Sequence, residues 1–301
     1  MKQGISIVGS FTLMCLASLL LSCNSSRVDN ADEQLDLPID TAAMQEERLV
    51  QVNKVTFSIP SPIQVAQLIE QTGGRYQRDL LHTTARTASY ASKFDKAFNL
   101  GVFGADMGYC SIYDQSQDAL AYLNATKHLA DDLGISGGFD ATRFERYKKA
   151  LGKRDSMLTL LSQSYRDADG FLKENQRGDV GALILAGGWL ESVHLMTSLA
   201  KQGKQPLLMD RIGQQKTTLD NLIKLLMPFT EQAEIASLIQ NLLEVAQPFN
   251  DVELMYTYKP SKHDTLKNLT TIESESSYTI SDAQLSRIAV IVEKTRTRLL
   301  K

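Results

Sequence analysis

Cysteine, histidine and tryptophan are scarce: 301 residues hold three cysteines, four histidines and one tryptophan. Three cysteines cannot build the disulfide framework that stabilises many exported domains, so the fold must stand on its hydrophobic core. The histidines are His82, His128, His194 and His263. A ferritin-like di-iron centre needs Glu-x-x-His twice plus two further glutamates, and the motif occurs once, at Glu191 and His194. No metal or other cofactor is therefore expected. There is no G-x-S-x-G elbow, P-loop, H-E-x-x-H or Gly-rich dinucleotide fingerprint, so the sequence nominates no catalytic residue. An excess of positive charge is also missing: 32 Lys plus Arg stand against 35 Asp plus Glu, which gives no electrostatic preference for nucleic acid.

The N-terminus has the layout of an export signal. One cation, Lys2, precedes an apolar stretch from Ile5 through Leu21 that is interrupted by Gly9, Ser10 and Thr12. Its continuous hydrophobic part falls short of the roughly 20 apolar residues a spanning helix needs, and no other segment is expected to be long and apolar enough to span a membrane. Leu20, Leu21 and Ser22 before Cys23 resemble the bacterial lipobox, which predicts cleavage after residue 22 and a lipid such as palmitate on Cys23. The plain alternative is an ordinary signal with a chance cysteine nearby. Acyl chains anchor a protein because each buried methylene contributes about 0.8 kcal/mol. Losing residues 1–22 removes only Lys2, which leaves 31 basic against 35 acidic residues, a net of −4. Cys15 goes with the signal and Cys23 is lipidated, so Cys110 remains alone and reads as a buried small hydrophobe.

Residues 23–51 are polar and acidic, a composition that cannot bury enough surface to offset ordering, and read as a flexible tether. Residues 52–301 read as one mainly α domain, a multi-helix bundle or an irregular array of α-α hairpins. The stretch Val55–Pro62 alternates and is predicted extended. Ser61 then caps a helix starting at Pro62, with Ile63, Val65, Leu68 and Ile69 on its apolar side. A helix pair is expected between Ala91 and Gly134 with a turn at Tyr113–Gln117. Gly101, Gly104 and Gly108 share one face of its first half, which predicts a closely packed neighbour. Further helices are expected at Asp140–Leu151, Asp155–Asn175, Asp179–Gln202, Lys216–Leu226 and Glu231–Ala246. Alternation with Thr and Tyr predicts a small β-hairpin within 252–280, from Val252–Tyr258 and Leu269–Ile280. Ser281 caps a last amphipathic helix.

The most enzyme-like residues are Glu191 and His194, three apart on one helix face after Gly187, Gly188 and Trp189. Asp106 and Tyr109 are spaced alike on the Gly-rich helix. The four could meet across a helix interface as an enzymatic or metal-binding site. They could equally form structural polar contacts, with the glycines allowing close packing and Trp189 filling a hydrophobic gap. A pocket with perturbed ionisable groups would favour function, and a closed hydrogen-bonded network would not.

Five stretches, FSIPSP (57–62), NLGVFGADMGY (99–109), ADDLGI (130–135), KENQRGDVGALILAGGWLE (173–191) and TTIES (270–274), together resemble a family of uncharacterised Bacteroidota helical lipoproteins. The resemblance implies a helical cell-envelope protein and brings no activity with it. In that group acidic residues directly after the lipidated cysteine direct export to the surface. Here residues 24–28 carry none, which implies a lipid-anchored protein of the outer membrane that faces the periplasm. Asp40-Thr41-Ala42 is similar to the group's O-glycosylation pattern and makes Thr41 a candidate site. The expected partners are the membrane, through the anchor, and an unidentified envelope protein or small ligand.

Overall fold

The computed structural model describes residues 48–52, 55–59, 62–135, 141–203, 205–264 and 269–300, all within the unit Leu35–Lys301. The expected signal peptide, Cys23, Thr41 and most of the tether lie outside the described residues, as does the Ser61 cap.

Two helices form the centre because they are apolar on every side, and such helices must be enclosed. Every residue of α2 (Lys93–Ile112) from Ala97 onward is buried, and α6 (Gly178–Ala200) is buried without interruption from Ala186 to Thr197. Their contact is the most extensive in the molecule. It is also unusually close. A Cβ on Gly101 would stand 2.0 Å from the Ile184 carbonyl oxygen and 2.8 Å from the Gly188 amide, and one on Gly187 would stand 2.0 Å from the Phe98 carbonyl oxygen. The backbones therefore touch where only glycine fits. The three glycines of α2 do not share one tight neighbour, however. Gly108 meets Ile63 at an ordinary 3.9 Å, and Gly104 lines a small cavity.

One expectation fails at α6. With 23 residues and an 18-residue stretch of mean hydropathy 1.3 it is long and apolar enough to cross a membrane, although Asp179, Glu191 and His194 break the run in the sequence. Of its most apolar stretch 89% is buried inside the protein, so other helices cover it.

Around this pair, α1 (Pro62–Gln71) packs on both, and α3 (Ser116–Asp132) returns along α2 after a turn at Asp114, whose φ is +54°. Helix α4 (Ala141–Ala150) packs on α5 (Arg154–Glu174), which reaches α2 and α6. Helix α7 (Pro206–Leu226) lies on α6, α8 (Ala233–Ala246) on α7, and α9 (Asp282–Leu299) on α6 and α8. Ser281 caps α9 in a capping box with Gln284. Helix α7 begins ten residues earlier than its sequence suggests, because Gly213 is not a break. A Cβ there would come within 2.2 Å of Tyr278 Cβ, so the glycine admits the tyrosine while the helix continues.

Three two-stranded antiparallel ribbons complete the described residues. Strand β1 (Arg48–Val52), which overlaps the end of the expected tether, pairs with β2 (Val55–Ile59). The expected hairpin is present but divided: β3 (Glu253–Thr257) pairs with β6 (Glu275–Thr279), and β4 (Lys262–Asp264) with β5 (Leu269–Thr271). The mainly α class with a small β-hairpin near the C-terminus is thus observed.

Candidate functional site

Asp106 on α2 and Glu191 on α6 do meet. Both are wholly buried, just beyond the glycine crossing that brings their helices together. Glu191 takes its partner from α9: Arg296 Nε donates to Oε2 and Nη2 to Oε1, each at 2.7 Å. This bidentate fork is the strongest geometry for such a pair. Burial by itself lowers the affinity of Arg296 for its proton, but the Glu191 charge overrides it and holds the guanidinium protonated well beyond its usual range.

Asp106 Oδ2 accepts from the His82 amide at 3.1 Å, while Oδ1 has no partner among the described residues as long as both carboxyls are ionised. Burial, then the Glu191 carboxylate, push Asp106 well above the usual carboxylate range. A proton on Asp106 makes its carboxyl a donor toward Glu191 while the Glu191–Arg296 ion pair is kept.

His194 and Glu191, three apart on α6, are each bound to α9 instead of to one another. His194 Nδ1 lies 2.8 Å from Glu293 Oε2, and Nε2 donates to the Leu80 carbonyl at 3.1 Å. The hydrogen bond from His194 draws Glu293 down to about 2. Leu80 O also accepts from Arg296 Nη2 at 3.2 Å. Tyr109 is not part of this group. Its hydroxyl accepts from the Gln77 amide at 3.1 Å and donates to Arg75 O at 3.3 Å, and its ring stacks on Tyr76 at 5.4 Å. Burial raises it to about 12.

These bonds converge on the segment between α1 and α2. Tyr113 donates to Gly74 O and Tyr122 to His82 O, each at 2.6 Å. The His82 ring stacks on Phe103 and meets Tyr90 Oη at 3.0 Å, and burial lowers its pKa to about 4. Tyr76, which donates to Asp118 at 2.6 Å, also lies beside the buried Cys110 thiol, itself pushed up to about 12 by burial. The arrangement is a structural tie that holds a loop and four helices together. Trp189 fills its place in the core with its Nε1 donating to Gln215 at 3.0 Å.

Arg296, Glu293, His82 and Tyr122 were not read from the sequence. Arg296 had a signal: it follows Leu285, Ile288 and Val292 at helical spacing, and a cation on an apolar stripe calls for a buried anion. His82 in an irregular segment had none. A cavity of about 30 Å³ lies elsewhere, lined by Gly104, Met107, Thr126, Tyr147, Leu161 and Ser164 among others, and none of the acids borders it. Among the described residues no cluster of three or more His, Cys, Asp or Glu is placed to hold a metal. Compared with known proteins, the chain matches no family model, no curated protein and no solved structure.

Proposed function

We propose that the chain is a lipid-anchored cell-envelope protein, seated in the outer membrane and facing the periplasm, whose helical body binds a partner or small ligand or holds an envelope complex together without catalysing a reaction. The observation that carries the non-catalytic part is the closure of the acid cluster. Both Glu191 oxygens are held by Arg296 in a fully enclosed position, which leaves neither of them facing a space that a substrate can enter. The anchor rests on Cys23 after Leu20, Leu21 and Ser22 and on the resemblance to helical lipoproteins.

Two measurements test it. Cells fed labelled palmitate should label the wild-type chain and not Cys23→Ala, and the variant should leave the membrane fraction; equal labelling of both overturns the anchor. The purified full chain should be inert in a broad hydrolase panel. Turnover that disappears in Glu191→Gln or His194→Ala, with the melting temperature unchanged, overturns the non-catalytic reading.

A further inference from the structure

The ribbon of β3 and β6 lies on α7 through β6, and its two outer edges differ. Leu254 and Tyr278 are register partners, yet the Tyr278 amide donates to Asp210 Oδ1 of α7 at 2.6 Å. This is therefore a non-hydrogen-bonded pair whose backbone groups point away from each other. The edge of β6 is taken by α7, whereas β3 turns the N–H and C=O of Leu254 and Tyr256 outward with no strand beyond them among the described residues. Tyr258 is next in phase, since the Lys259 amide points inward to Ser274 Oγ at 3.1 Å.

Both ends of this run are closed. The Val252 amide bonds Phe249 O at 3.0 Å and its carbonyl accepts from Lys216 Nζ at 2.9 Å. Pro260 has no N–H. The free edge is thus Leu254, Tyr256 and Tyr258, with large side chains 54%, 62% and 72% exposed.

We infer that this edge pairs with the same edge of a second copy of the chain, antiparallel, about a two-fold axis at Tyr256. That register satisfies every free group: Tyr256 faces Tyr256 of the second copy, and Leu254 faces its Tyr258, two backbone hydrogen bonds at each pair. A two-fold at Met255 would instead set Tyr258 against Val252, whose groups are engaged. Charge agrees. Glu253, which has no ion-pair partner among the described residues, falls opposite Lys259 of the second copy, whose Nζ also holds Glu275, and the symmetry makes this contact twice. The two ribbons become one four-stranded sheet, β6-β3-β3-β6, with Leu254, Tyr256, Tyr258 and Tyr278 along one face. That gives an otherwise marginal two-stranded ribbon the width it needs. This pairing does not depend on the lipid anchor or on the absence of catalysis.

The test is sedimentation of the full chain in density-matched detergent across concentration. The expected result is a monomer–dimer equilibrium whose dissociation constant rises at least about tenfold in Tyr256→Pro, which removes an outward N–H, and by less in Tyr256→Ala, which removes the side chain alone. Mild oxidation should link Tyr256→Cys into a covalent dimer, because facing Cα atoms are about 5.5 Å apart. Glu253→Cys should stay unlinked, its two copies lying roughly 20 Å apart along the strand. Melting temperatures near wild type establish that the variants fold. A chain that stays monomeric at every concentration, a dimer indifferent to Tyr256→Pro, or linkage at position 253 in place of 256 overturns the inference.

Discussion

Arg296 is the residue on which the buried acids depend. Its guanidinium is mostly buried and neutralises a Glu191 that has no access to water. Removing one partner of such a pair leaves an uncompensated charge, so Arg296→Ala should cost about 3–5 kcal/mol, read as a fall in melting temperature with a cooperative transition retained. Asp106 gives a prediction of opposite tone. Its pKa is raised in the folded state, so folding takes up a proton above the unfolded value near 4, and stability contributed by this site falls as pH rises from there toward the folded pKa. Asp106→Asn keeps a donor toward Glu191 and an acceptor for the His82 amide without needing that proton. The variant should gain on wild type by up to about 1.4 kcal/mol per pH unit across that window, and melting curves that run parallel with pH would refute the raised affinity of Asp106 for its proton. His82 works on the acid side. Its pKa is depressed by burial to about 4, so the unfolded chain binds the proton first and stability is lost as pH falls from about 6.5 to about 4. His82→Gln should flatten that part of the profile.

Helix packing places these residues, and the α2–α6 crossing shows how. Because a Cβ at Gly101 or Gly187 would run into backbone, neither neighbour can rotate aside. Gly101→Ala and Gly187→Ala should each destabilise by about 3 kcal/mol or more and pull Asp106 away from Glu191. Gly170 in α5 is the control: a Cβ there meets nothing within 4 Å, so Gly170→Ala should stabilise by about 0.5–1 kcal/mol through helix propensity. Chemical denaturation of the three variants orders them. Gly108→Ala belongs near neutral, since its Cβ would make only ordinary contact with Ile63.

At the scale of the whole molecule, α9 closes the fold. It supplies Arg296 and Glu293 to the central cluster and buries Leu285, Ile288 and Val292 against the body. A chain ending at Ile280 should lose its cooperative melting transition, because it exposes the apolar seat of α9 and strands Glu191 as a buried unpaired charge. Residues and fold were not equally legible beforehand. Helix α1 declared its buried side through Ile63, Val65, Leu68 and Ile69, and α9 its start through Ser281, because periodicity and capping are local properties. Helix α7 was cut short at Gly213, whose meaning lay in Tyr278, distant in sequence. Glu191 and Asp106 were legible as candidates because acids on apolar helices cost energy unless something offsets them.

The sequence by itself determined the helical class, most helix boundaries, the burial of Cys110 and the short list of polar residues that needed explaining. All of these follow from spacing along a few turns of chain. Only the tertiary structure decided that Asp106 meets Glu191, that Arg296 and Glu293 divide Glu191 and His194 between them, that Tyr109 serves the loop at Arg75–Gln77, and that β3 keeps an edge free of any other described strand. Those outcomes depend on which helices cross and how closely, which is fixed by steric fit between segments far apart in the chain, and no local pattern carries that information.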